Sequence, residues 1–247
     1  MKPILHFLIQ FLLGAAMTSG AQQELSVKSF NDVIISPHIE ATLIQGDTER
    51  VVINSSTEPL EKVNVEVNGK TLRVYLDGAK EITKTNKVKG EDYSYSQPIY
   101  KGTVLNITVY YQSLDVLSLR GEERIVCQSP INQDHFKLKI YGESEVLVKE
   151  VNLKNFKLTV YGESDLKMEN GNVQEQRILV YGEADIDLLG INNGSSRITA
   201  YGEAEFKINA KQRIKFTAYG ESTLRYRGSP DIDKGLSIGE SKIYQLQ

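Results

Sequence analysis

The stretch IYGESEVLV, Ile140 to Val148, returns as VYGESDLKM, VYGEADIDL, AYGEAEFKI and AYGESTLRY. A Tyr-Gly-Glu step written at a nearly fixed interval leaves few folds open. Its glycine recurs at Gly121, Gly142, Gly162, Gly182, Gly202, Gly220 and Gly239, with spacings of 21, 20, 20, 20, 18 and 19 residues. A short, steady period of this kind marks a stacked array, because one copy alone cannot bury its own apolar side. The degenerate first and last copies are what the capped ends of such an array require.

Each copy is numbered here from its tyrosine as zero, with Arg120 opening the first. Positions −3, −1, +5 and +7 are mostly apolar, as in Leu138, Ile140, Val146 and Val148, then Leu158, Val160, Leu166 and Met168. Position +1 is Gly throughout, and +3 is Ser or Ala in every copy but the first. All are odd, so one parity faces inward, the alternation of a half-buried strand. The even positions carry the chemistry. At −4 stand Lys137, Lys157, Arg177, Arg197 and Lys215; at zero Tyr141, Tyr161, Tyr181, Tyr201 and Tyr219; at +2 the glutamates; at +4 Glu145, Asp165, Asp185 and Glu205.

Hairpins would satisfy the alternation but would bring like residues back only on alternate strands. A coil that advances one strand spacing per copy stacks them in ladders ~4.8 Å apart. The pattern therefore predicts an all-β, parallel β-helix-like solenoid with coils of about 20 residues. Each coil is expected to be two short strands hinged at Gly-Glu-Ser, with a second bend near +10. Cys127, at +7 of the first copy, is expected to be a buried small hydrophobe.

Before the repeats the chain is strand-rich. Candidates are Asp32–Ile35, Ile39–Gln45, Val51–Asn54, Val63–Val67, Leu72–Leu76, Val104–Tyr111 and Val116–Leu119, with Asn68-Gly69-Lys70 as a hairpin connection. The stretch 79–101, rich in Lys, Gly, Tyr and Ser, reads as a long surface loop. The expected division is a signal peptide at 1–21, an N-terminal β region at 22–118 and the repeat solenoid at 119–247. Met1-Lys2, the apolar run Ile4 to Leu13 and the small residues Ser19-Gly20-Ala21 form the signal pattern, cleaved after Ala21. The apolar run falls short of the ~20 residues that span a bilayer. Export is expected, to the periplasm or the extracellular cell surface, with no membrane-spanning segment left after the signal is removed.

Cys127 is the one cysteine, so an intramolecular disulfide is impossible. A net charge of −3 argues against nucleic acid as a partner. Neither His38 nor His135 stands in a nucleophile–base pattern, and there is no Cys/His zinc cluster or phosphate loop. No catalytic residue and no cofactor are expected.

The outward files admit two readings each. Tyr141, Tyr161, Tyr181, Tyr201 and Tyr219 stack on one another, or form an aromatic strip for a sugar ring or other flat ligand. Lys157, Arg177 and Arg197 are a solvated row, or they bind an anionic glycan. Neighbouring glutamates must find backbone and side-chain partners, or cations. Glu163, Asp165, Glu183 and Asp185 are weak calcium candidates, not favoured because the nonapeptide of calcium-binding β-rolls is absent.

The opening SVKSFNDVIISPHIEATLIQGDTERVVI, the hairpin VNVEVNGKTLRVYL, the GESD/GEAD steps and the ending STLRYRGSPDIDK resemble the family "putative auto-transporter adhesin, head GIN domain" of secreted bacterial proteins. The likeness runs from about Phe30 to Lys234. It implies a β-helix-like fold and an adhesive surface role, and it carries over no catalytic residues. Two features depart from the family's pattern: Tyr and Glu at nearly every step, and the inserted loop at 79–101. The expectation is an exported, non-catalytic, adhesin-like protein that binds a surface glycan or protein through a Tyr/Glu/Lys face. Its rivals are a polysaccharide-degrading β-helix enzyme and a self-associating scaffold.

Overall fold

The structure is a computed structural model that describes residues 22–89 and 94–247. The expected signal peptide lies outside the described residues. Apart from one 3-10 turn at Leu60–Lys62, the regular elements described are strands.

The repeats set the frame. Strands β10 (Val116–Gly121), β11 (Ile125–Cys127), β12 (Ile131–Gly142), β13 (Glu145–Tyr219), β14 (Ser222–Arg227), β15 (Asp231–Ile238) and β16 (Ser241–Gln245) are joined in parallel. Tyr141 lies beside Tyr161, Lys137 beside Lys157 and Gly142 beside Gly162, a register offset by one copy. Copies therefore lie over one another, as the solenoid reading required. The long β13 runs through successive bends because its residues find ladder partners above and below.

The inward parity holds: Leu138, Ile140, Val146, Val148, Leu158, Val160, Leu166 and Met168 are all buried. The expected single second bend is replaced by two. Burial alternates from Val146 to Val148, pauses over Lys149 and Glu150, resumes at Val151 and Leu153, pauses over Lys154 and Asn155, and resumes at Phe156. Two successive outward residues turn a strand about its core, so the coil has three faces where two were expected. The third face carries a ladder that the sequence reading missed: Asn152 donates to Asn132 at 2.9 Å, Asn172 to Asn152 at 3.0 Å and Asn192 to Asn172 at 3.4 Å.

The strands ahead of the repeats extend the same stack. They are β1 (Gln23–Ser26), β2 (Asp32–Ile35), β3 (Ile39–Gln45), β4 (Arg50–Ser56), β5 (Val63–Asn68), β6 (Thr71–Leu76), β7 (Thr85–Lys89), β8 (Ser94–Pro98) and β9 (Leu105–Tyr111). β2 and β3 lie parallel to β10 and β11, and β6 and β9 lie parallel to β2 and β3 in turn. Spatial order thus departs from chain order, since the coil of β6 and β9 sits outside that of β2 and β3. Beyond it β5, β4 and β1 pair antiparallel, closing an edge that would otherwise offer free backbone groups. One apolar cluster runs from Phe30 to Leu224 through both parts. The described residues of 79–101 are more ordered than a plain loop, because β7 and β8 pair antiparallel. Its base is fixed by buried Ala79 and Tyr100, whose hydroxyl donates to the Asp77 carbonyl at 2.9 Å.

Cys127 is fully buried, and burial pushes its thiol up to about 12. The thiolate is the reactive form, so a disulfide reagent at pH 8 is expected to leave the folded protein unmodified. It should label one thiol per chain once denaturant is added; labelling of the folded state at a rate typical of free cysteine would contradict this burial.

Candidate ligand-binding face

Position +1 needs glycine for a geometric reason. Gly142, Gly162, Gly182, Gly202 and Gly220 have φ between +117° and +128°. A methyl group on any of them would reach within 2.5 Å of the carbonyl oxygen of the glycine one copy earlier. The small +3 residue serves the same bend. Ser144 and Ser164 donate to the carbonyls of Gly121 and Gly142 at 2.9 and 3.0 Å. This corner separates the strand ending in tyrosine from the strand opening with acids.

On the tyrosine side, five rings form one column. Centroids are 5.4, 4.8, 4.8 and 4.7 Å apart from Tyr141 to Tyr219, and neighbouring planes differ by 2° to 6°. Each such pair adds roughly 0.5–1.5 kcal/mol beyond the area it buries. Arg120 covers the first ring, 5.3 Å from its centroid, and is itself held by Glu81 of the insertion. Ile238 takes the next place after Tyr219. Ring faces are spent on one another. The column therefore shows edges and hydroxyls to solvent, most at Tyr161 and Tyr201, which are 43% and 39% exposed.

The same face carries the cations, two outward positions away. Lys137, Lys157, Arg177 and Arg197 are exposed and line a groove of about 580 Å³. Among the described residues their side chains make no ion pair or hydrogen bond. Like charges ~4.8 Å apart repel by roughly 1 kcal/mol in water and about 3 kcal/mol at an effective dielectric of 20. The file ends at Lys215, where Asp233 accepts Arg213 at 2.5 Å and lies 3.4 Å from the Lys215 ammonium.

Across the glycine corner the acids line a separate trough of about 650 Å³. The Tyr and Lys/Arg files thus share one face, while the Glu/Asp files occupy the next. Some acids are paired: Lys207 lies 3.1 Å from Asp185 and 3.5 Å from Glu205, Arg225 meets Glu205 at 3.0 Å, and Arg124 meets Glu145 at 3.3 Å. Of the calcium candidates, Asp185 is held by Lys207, while Glu163, Asp165 and Glu183 have no such partner among the described residues. No group of three or more His, Cys, Asp or Glu is arranged to hold a metal ion among the described residues.

The head of the acid file holds something the sequence did not suggest. His38, at φ 70°, lies 3.8 Å from the buried Glu123 carboxylate, although the two are far apart in the chain. Its ring nitrogens meet Gly102 O at 2.7 Å and Thr83 Oγ1 at 2.6 Å. Burial raises the Glu123 pKa, against a backbone hydrogen bond from Glu122. The Nε2 contact ties the insertion to the stack, and the Nδ1 contact ties the residue just after it.

A family model described as "Putative auto-transporter adhesin, head GIN domain" matches residues 29–230. Among solved structures, the chain is similar to a "putative adhesin" from Bacteroides fragilis at 18% identity and TM-score 0.75. That match covers 92% of this chain and 96% of the other. A "putative adhesin" from Parabacteroides merdae matches at 16% identity and TM-score 0.62, and a "putative lipid binding protein" from Parabacteroides distasonis at 16% and 0.58. Both cover 92% of this chain and 96% of theirs. At these identities the likeness is one of fold. No curated protein matches.

Proposed function

Because the chain belongs to the family of the putative auto-transporter adhesin head GIN domain, we propose that it is an exported, non-catalytic, adhesin-like protein whose partner is held on the face bearing the tyrosine and Lys/Arg files. The observation that carries this reading is a cation file, free of ion pairs from Lys137 to Arg197 among the described residues, beside an unbroken tyrosine column. Repetition at one strand spacing suits a partner that also repeats, such as a surface glycan or a regular protein surface. Contact is made by tyrosine edges and hydroxyls, because the ring faces are already covered. The acid trough, on the neighbouring face, belongs to the rim.

The test is a glycan and surface-protein array probed with the protein and with a Tyr161→Ser/Tyr181→Ser/Tyr201→Ser variant whose circular dichroism matches the parent. A bound ligand is expected to weaken at least about tenfold, the loss of several hydrogen bonds and contacts of ~1 kcal/mol each. Unchanged binding would remove the tyrosines from the contact surface. Release of reducing or unsaturated sugar from an acidic polysaccharide would replace the reading with a catalytic one.

A further inference from the structure

The groove beside the cation file has a built floor. At position −5 the copies of Tyr141 and Tyr161 place Phe136 and Phe156, whose rings stack at 6.0 Å; those of Tyr181 and Tyr201 place Gln176 and Ser196, both buried. Gln176 Nε2 donates to Ser196 Oγ at 2.8 Å, and Ser196 Oγ donates to Asn193 Oδ1 at 2.6 Å. Asn193 Nδ2 in turn donates to the Val173 carbonyl at 3.1 Å. The chain of donors starts at the Gln176 amide and ends at the Val173 carbonyl, while Gln176 Oε1 is buried and accepts nothing.

Above this floor stand Lys157, Arg177 and Arg197, one per copy, and Glu175 is the one carboxylate in the groove lining. Asp233 pairs with Lys215 where the file ends, while Lys157, Arg177 and Arg197 form no ion pair with Glu175 or any other described acid. Deepening the proposed role of this face, on which it rests, we infer that the groove binds an acidic polysaccharide laid along the stack. One sugar carboxylate or sulfate meets each of Lys157, Arg177 and Arg197. A linked acidic sugar repeats its charge at an interval comparable to one strand spacing, about 5 Å, so successive charges fall opposite successive coils. A net charge of −3 gives the whole molecule no general attraction for polyanions. Binding must come from the file.

The experiment titrates the protein at low and physiological salt with polygalacturonate, dextran sulfate, neutral dextran and polyphosphate. Polygalacturonate and dextran sulfate separate carboxylate from sulfate, dextran removes the charge, and polyphosphate keeps charge without hydroxyl donors. Binding of at least one acidic glycan and none of dextran is expected. The K157Q/R177Q/R197Q variant should bind that glycan about a hundredfold more weakly, roughly fivefold per lost charge pair. A K28Q/K87Q/K101Q variant, with the same net charge but an intact file, should stay within about twofold. Removing mutually repelling charges should leave the first variant's melting temperature at or above the parent's, which separates lost binding from lost fold.

An equal loss in both triple variants would overturn the site. Polyphosphate binding as tight as that of the glycan would overturn the sugar assignment. Should no acidic glycan bind while an array ligand is lost on substituting the same three cations, the polysaccharide falls and the face survives. No array ligand at all would sink the face itself.

Discussion

Gly182→Ala is expected to lower the free energy of unfolding by about 3–5 kcal/mol, among the largest effects a single methyl group can have. The residue sits at φ +120°, and the added carbon would lie 2.4 Å from the Gly162 carbonyl oxygen. That atom is backbone held in the ladder, so it cannot swing aside as a flexible side chain would. Gly69 supplies the comparison: its φ is +61°, but nothing lies within 4 Å of where a Cβ would be. Gly69→Ala should therefore cost only the conformational term, about 1–2 kcal/mol. Urea or thermal unfolding of both variants by circular dichroism separates the two contributions. Equal losses would mean that the carbonyl contact between copies contributes nothing.

Phe206→Ala should cost about 3–5 kcal/mol through lost burial and an unfilled cavity. The ring is fully buried and meets Phe216 edge-on, with centroids 6.0 Å apart and planes at 71°. Its copy is the short one, 18 residues from Gly202 to Gly220. Burial alternates from Ala204 through Phe206 and Ile208 to Ala210 without a pause, so one corner of the coil is missing there. Phe206 and Phe216 lie in the same buried cluster as the small Ala204, Ala210 and Ala218. Phe206→Leu, which keeps most of the volume, should cost less than about 1.5 kcal/mol. A leucine variant as unstable as the alanine variant would show that ring shape, not filled volume, sets stability at this level.

The features that repeat were legible in the sequence because a period fixes both parity and neighbour. Position +1 must be glycine in every copy, and the alternation around Val160 and Leu166 can face only one way. Corners made by two outward residues, as at Lys149-Glu150 and Lys154-Asn155, were not legible: they carry no fixed residue type, only a slip in parity of one. The Asn132, Asn152, Asn172 and Asn192 ladder did offer a signal, asparagine at intervals of 20, which goes unseen when the eye follows Tyr-Gly-Glu. Contacts from outside the repeat left no trace. Glu81 holding Arg120 and His38 beside Glu123 join segments whose spatial order differs from their order in the chain. The site was half legible. Residue types named the files, but only the geometry shows that the tyrosine faces are covered, that the acids lie around a corner from the cations, and that Gln176 Oε1 lacks a donor.

In-register stacking of the copies is tested most directly by the distance between spin labels placed at Tyr141→Cys and Tyr219→Cys in a Cys127→Ala background. Four strand spacings separate those positions in a coil, so a distribution centred near 19 Å is expected. An array of hairpins would return like residues only on every second strand, and a centre near about 38 Å would contradict the stacked coil and everything built on it.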